Sequence, residues 1–230
     1  MRRAMLLITG FSASAVLLLV LCTSAAAQYM RIQQDSVQRC VQFPCPVEDT
    51  FLTAVSLASY EGPFWEDGTD EEVAGIAALV VENNSGLFVE RGAVILTVGE
   101  ETLVFELEAL PPGERALVLE KDRKAYAAFE QFVCYGWVKN AYPENTPGVT
   151  VTEDSLGVFS AINHTKGLLD QVTVYYKNYD TQSGMYIGGI VYTAEVERLR
   201  PGEVRAVSPY HYAQGSSRIV AVAVQVEPYS

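Results

Sequence analysis

The chain has 230 residues, 49% hydrophobic and 19% charged, a composition of folded protein rather than disorder and a length for one large domain or two small ones. Its 16 Lys+Arg against 28 Asp+Glu give a net charge of −12, which excludes a nucleic-acid footprint and binding of the folded part to an anionic membrane surface. With two histidines, His164 and His211, it also lacks the material for a multi-histidine metal site.

The N-terminus reads as an export signal. Arg2 and Arg3 precede an uncharged run over residues 4–21, densest from Ala15 to Leu21. Ala25, Ala26 and Ala27 then put small residues at both specificity positions of a signal-peptidase site, so residues 1–27 form a signal peptide and Gln28 the new N-terminus. The competing reading is an uncleaved membrane anchor, since the run approaches the ~20 residues that span a bilayer core. Thr9, Gly10, Ser12 and Ser14 dilute its first half. Cys22 follows Leu21, where lipoprotein processing wants a small residue. The expected location is secreted or on the extracellular face of the cell envelope, with membrane contact only if the segment is retained. Without Arg2 and Arg3 the net charge becomes −14.

Residues 28–48 form an N-terminal extension without clear period. It carries Cys40 and Cys45, and Cys134 follows later. Three cysteines in an oxidising compartment leave at least one free or paired outside the chain, with one disulfide or none, and the spacing of Cys40 and Cys45 is not that of a C-x-x-C redox motif. A Cys40–Cys45 disulfide and a bridge from either to Cys134 both stay open. Beyond Asp49, the alternation of Val55, Leu57 and Ser59 favours a strand. The stretch Trp65 to Glu72 concentrates five acids but fails the ligand spacing of a calcium loop, and reads as a solvated loop leading into a strand at Val73.

An internal repeat organises the rest. Phe105 to Glu114 (FELEALPPGE) has its counterpart in Ala194 to Glu203 (AEVERLRPGE), and Ile76 to Gly86 (IAALVVENNSG) in Val158 to Gly167 (VFSAINHTKG). The second copy carries a longer connection, Tyr176 to Tyr186. Within each copy the period is two: Leu103, Phe105 and Leu107 alternate with acids, as do Tyr192, Ala194 and Val196 with Thr193, Glu195 and Glu197. Pro112-Gly113 and Pro201-Gly202 suit type II turns, and the copies close with strands at Phe129–Val138 and Ile219–Val226. The pattern predicts an all-β chain: two tandem immunoglobulin-like antiparallel β-sandwiches at 49–140 and 148–230 after the N-terminal signal segment. The polar, proline-rich stretch 140–148 forms the boundary.

An apolar strand ending in Asn plus a small polar residue, a second strand, then Leu-x-Pro-Gly-Glu resembles the FxLYD-like and related Ig-like modules of bacterial envelope proteins. The resemblance covers about residues 73–120 and 156–209. The Phe-x-Leu-Tyr-Asp string itself is absent, with only Val174-Tyr175-Tyr176 and Tyr179-Asp180 similar to it. It implies a secreted or cell-surface, non-catalytic module, often of Gram-positive bacteria.

No catalytic, cofactor or metal-binding set emerges. There is no nucleophile elbow to serve a histidine, His164 occupies a turn position that the first copy fills with Asn84, and His211 lies between two tyrosines. Asn83-Asn84-Ser85 and Asn163-His164-Thr165 match the glycosylation pattern, yet their equivalence in the repeat makes turn chemistry a sufficient cause. The candidate binding surface is the tyrosine-rich part of the second copy, Tyr175, Tyr179, Tyr186, Tyr210 and Tyr212, with Lys177–Gly184 as its rim. Its expected partner is an unidentified protein or a cell-wall glycan. Intact-mass analysis of the exported protein should give a chain starting at Gln28; one starting at Met1 or Arg2 refutes cleavage.

Overall fold

In the structure, a computed structural model, the described residues are 39–40, 42–128, 131–141, 148–154 and 157–226. Residues 1–38, with the expected signal peptide among them, and most of the boundary stretch lie outside them. The described part is all-β. Its strands are β1 (Arg39–Cys40), β2 (Cys45–Pro46), β3 (Leu52–Pro63), β4 (Glu72–Asn83), β5 (Phe88–Val98), β6 (Glu101–Leu110), β7 (Arg115–Leu119), β8 (Phe132–Ala141), β9 (Val149–Glu153), β10 (Phe159–Asn163), β11 (Leu169–Asp180), β12 (Met185–Leu199), β13 (Val204–Val207) and β14 (Ser217–Gln225). The expected strand after Asp49 is thus β3, and the strands closing the copies are β8 and β14.

Alternation becomes burial as the period-two pattern demands. Leu103, Phe105 and Leu107 of β6 point into one core, and Val172 and Val174 of β11 and Ala194 and Val196 of β12 into others. β4 differs, because Ile76 to Leu79 are buried in succession. Ala77 and Leu79 face the main core, while Ile76 and Ala78 pack under Phe64 on the opposite side. The acid-rich stretch therefore lies against the sheet as a 3₁₀ turn at Trp65–Asp67. It is not the freely solvated loop expected of five carboxylates, because Phe64 and Trp65 anchor it on apolar surface.

The two Asn-Pro-Gly corners share one geometry. Asn83 is fully buried; its side-chain amide donates to the carbonyls of Leu87 (2.8 Å), Leu110 (3.1 Å) and Pro111 (3.1 Å), and its oxygen accepts from Ser85 N–H (3.1 Å) and Oγ (2.8 Å). Asn163 is also fully buried; it donates to Gly167 and Leu199 carbonyls (both 2.9 Å) and accepts from Thr165 N–H (2.8 Å) and Oγ1 (2.6 Å). Ala109 and Arg198, at matching positions, both take φ 50°, and Gly113 and Gly202 take φ 73° and 68°. These asparagines staple one turn to another, and their amides have no room for a glycan.

The strands form three sheets, β1-β8-β5-β6, β13-β10-β9 and β14-β11-β12-β7-β4-β3-β2. The third draws on both copies of the repeat. They join where β12 runs parallel to β7, with Tyr186 opposite Ala116 and Ile187 opposite Leu117. The longer connection of the second copy makes this join. Lys177–Asp180 and Met185–Tyr186 extend the β11–β12 hairpin by several residues past the second copy's core and onto the first. Only residues 181–184 form a turn, held by Asp180 accepting from the Gln182 (3.0 Å) and Ser183 (3.1 Å) amides.

Replacing either buried asparagine by alanine strands several buried carbonyls. Each of Asn83→Ala and Asn163→Ala should cost about 2–3 kcal/mol in urea unfolding; a loss below about 0.5 kcal/mol at both would contradict the stapling role.

Candidate functional site at the join of the two copies

The join is built on a break in strand pairing. Between the pairs Tyr176–Tyr192 and Asn178–Ile187, the four residues 188–191 of β12 lie opposite the single residue Lys177 of β11. Such a bulge leaves backbone groups unpaired. Gly188 takes φ 82° against Trp65, and a side chain on Gly189 would run into the Glu106 carbonyl of β6. Only a Gly-Gly pair lets the bulge lie this close to its neighbours.

Two charged side chains satisfy what the bulge leaves open. Lys177 is wholly buried, and its ammonium donates to the carbonyls of Ile190 (2.7 Å), Gly189 (3.0 Å) and, across the join, Glu108 (2.9 Å). Glu66, from the 3₁₀ turn, accepts from Gly189 N–H (2.6 Å) and Leu119 N–H (2.7 Å). Burial pushes the Glu66 carboxyl up, to about 7, against the pull of those amides and of Lys177. Burial likewise lowers the Lys177 ammonium, against the attraction of Glu66 and Glu108.

Beside this pair opens a cleft of about 790 Å³, lined by both copies. Most of its charged groups are tied in ion pairs: Arg91–Glu108 (3.2 Å), Lys121–Glu106 (3.1 Å) and Arg123 with Asp67 (2.8 Å) and Glu71 (2.6 Å). At such exposure these pairs add little to stability, so their main effect is on the character of the surface. Trp137, 49% exposed, is the large apolar group on the wall. The residues at this site that the composition and motifs do not reveal are Glu66, Lys177 and Trp137. The readable sign is Gly188-Gly189 inside a strand.

The predicted tyrosine surface does not assemble. Tyr179 and Tyr186 are buried in the first copy's core, edge to face at 5.2 Å, with the Arg218 guanidinium 3.3 Å from the Tyr179 ring centre. Burial drives the Tyr186 hydroxyl up to about 12. The correction follows from the hairpin: residues 177–180, expected as a rim, are strand. Tyr212 is part-buried against Phe159, donates to Glu153 (2.6 Å), and has its hydroxyl pushed far up by burial and that carboxylate. Tyr175 lies part-buried beside Thr173 and Glu195 in a shallow depression. Tyr210 is 78% exposed, and its carbonyl accepts from the buried Tyr176 hydroxyl.

Cys45 and Cys134 are both buried in the first core, and Cys134 carries no disulfide, which removes the bridges drawn to it; the side chain of Cys40 lies outside the described residues. His164 sits 3.0 Å from Thr150 Oγ1, as Asn84 bonds Thr53 Oγ1 at 2.6 Å, so the two turn residues do the same work. His211 Nδ1 stands 4.0 Å from Asp70, beyond hydrogen-bond reach.

These two charges have a measurable signature. Lys177→Met strips three carbonyls of their donor and should cost about 3 kcal/mol in urea unfolding. With Glu66 held at about 7 instead of its ordinary 4.5, the folded chain keeps between those values a proton that the unfolded chain has lost. Its contribution to stability therefore falls as pH rises through that window. The advantage of wild type over Glu66→Gln should be greatest near pH 4.5 and shrink toward pH 7; growth over the same range would reverse the sign and refute the assignment.

Comparison with known protein families, with curated proteins and with solved structures found no match to this chain.

Proposed function

We propose that the chain is an exported, non-enzymatic interaction protein, two Ig-like sandwiches locked into one body that offers a fixed surface to a protein or cell-wall glycan. The strand orders support the architecture. In the first copy β3-β4-β7 accompanies β6-β5-β8, and in the second β9-β10-β13 accompanies β12-β11-β14, the same succession twice, as in an immunoglobulin-like Greek key. The N-terminal extension adds a clasp, with β1 pairing with β8 and β2 with β3.

The observation that carries the reading is the join itself. A hairpin of one copy supplies two core tyrosines and a parallel strand to the other, so the copies cannot hinge as beads on a linker. Binding surfaces gain affinity when their parts are preorganised, and aromatic side chains dominate their energetics. The cleft meets both conditions, since it spans the join and holds Trp137 half-exposed in its wall. The net charge of −14 belongs to an exported surface and favours solubility.

Co-sedimentation with purified cell walls, together with crosslinking to envelope proteins, tests this. One of the two should capture wild type, and Trp137→Ala should weaken that capture at least tenfold while Tyr210→Ala leaves it unchanged. Equal capture of wild type and Trp137→Ala would move the surface elsewhere, and turnover of cell-wall fragments would overturn the non-enzymatic reading.

A further inference from the structure

A second, smaller pocket of about 340 Å³ gathers three segments far apart in sequence. Trp65 and Asp70 come from the acid-rich stretch, Tyr179, Asp180 and Tyr192 from the β11–β12 hairpin, and His211 from the β13–β14 connection. Four aromatic residues and two carboxylates thus line a space of ligand size, with no lysine or arginine in the lining, although the Arg218 guanidinium already covers the Tyr179 ring. We propose that this pocket binds a small organic cation, an alkylammonium whose charge rests beside Asp70 and whose carbon body lies against the rings.

The acids of this stretch separate by environment. Glu66 is committed to two backbone amides, and Asp67 and Glu71 share Arg123. Asp70 meets no lysine or arginine among the described residues; the base nearest it, His211, stays 4.0 Å away. Both residues of that pair adopt left-handed backbone, φ 55° at Asp70 and 56° at His211. Asp and His are among the non-glycine residues that enter this region most readily. The two side chains line the same space without joining.

The lining holds two carboxylates and no lysine or arginine, which disfavours an anion. Burial first, then the Asp70 and Glu66 carboxylates, hold the Tyr192 hydroxyl above its usual range. A divalent metal would want six or more oxygen ligands, whereas among the described residues no three His, Cys, Asp or Glu side chains are placed to hold a metal ion. Aromatic walls with carboxylates suit an alkylammonium, which is weakly hydrated and gains from both charge and ring contact. The pocket is separate from the Trp137 cleft, so neither proposal needs the other.

Calorimetric titration of the full exported chain with choline, set against its uncharged carbon isostere 3,3-dimethylbutan-1-ol at matched ionic strength, decides the matter. Choline should bind saturably and at least tenfold more tightly than the isostere. Asp70→Asn and, separately, Tyr192→Leu should each weaken choline at least tenfold with the circular dichroism spectrum unchanged. Glu100→Gln, the same loss of charge in the remote β5–β6 turn, should leave choline binding as it was. If Asp70→Asn does not fold, Tyr192→Leu carries the test alone. No saturable heat with choline, equal binding of the isostere, or equal weakening by Glu100→Gln would overturn the proposal.

Discussion

One buried ammonium organises the middle of this protein. Lys177 stands where β12 departs from β11, and its ammonium donates to two carbonyls of the bulge, Gly189 and Ile190, and to the Glu108 carbonyl of β6 across the join. Burying a charge is costly unless its hydrogen-bonding capacity is met, and here the three ammonium protons find three acceptors. Glu66 works from the other side, taking the amide of Gly189 that an unbroken ladder would have used. The irregularity in β12 and the two charges are one device. Without them the hairpin would either pair straight and miss the first copy or bulge with orphaned polar groups.

What rests on this device is the packing of Tyr179 and Tyr186 in the first core and the parallel contact of β12 with β7. Parallel edge pairing over two residues is weak alone. It is secured by the aromatic pair below it, by Arg218 across the Tyr179 ring, and by the close passage of Gly189 over β6. The large cleft and the smaller pocket both flank this join, which is where pockets tend to form between packed units. Position in the fold, rather than any catalytic motif, makes them the places to look for ligands.

The period-two alternations of Leu103 to Leu107 and of Tyr192 to Val196 were readable in the chain because one face of each strand is buried and the other is not. The paired Asn and Pro-Gly corners were readable because turn geometry restricts residue choice locally. The join was not readable in this way. Lys177 in a tyrosine-rich stretch has the look of a solvated residue, and its burial depends on carbonyls of β6 and β12 that lie far off in sequence. Tyr179 and Tyr186 carry the same ambiguity, since amphipathic rings serve recognition surfaces and cores alike. The acids of residues 66–72 were legible as a cluster but not in their separate fates, which depend on Arg123, on two distant amides and on what sits across from His211.

The longer hairpin belongs to the second copy alone; the first turns between β5 and β6 at Gly99 and Glu100. The coupling is therefore polar. The first copy contributes an acceptor edge, β7, and the second contributes the inserted element, while β13, the counterpart of β7, lies at the edge of its sheet among the described strands. A contact of this head-to-tail kind is not self-complementary, and two copies joined by it do not form a closed pair with a twofold axis. The pairing has a direction built into it: the first copy has already spent its acceptor edge, and the second carries the same kind of edge at the rim of its sheet among the described strands.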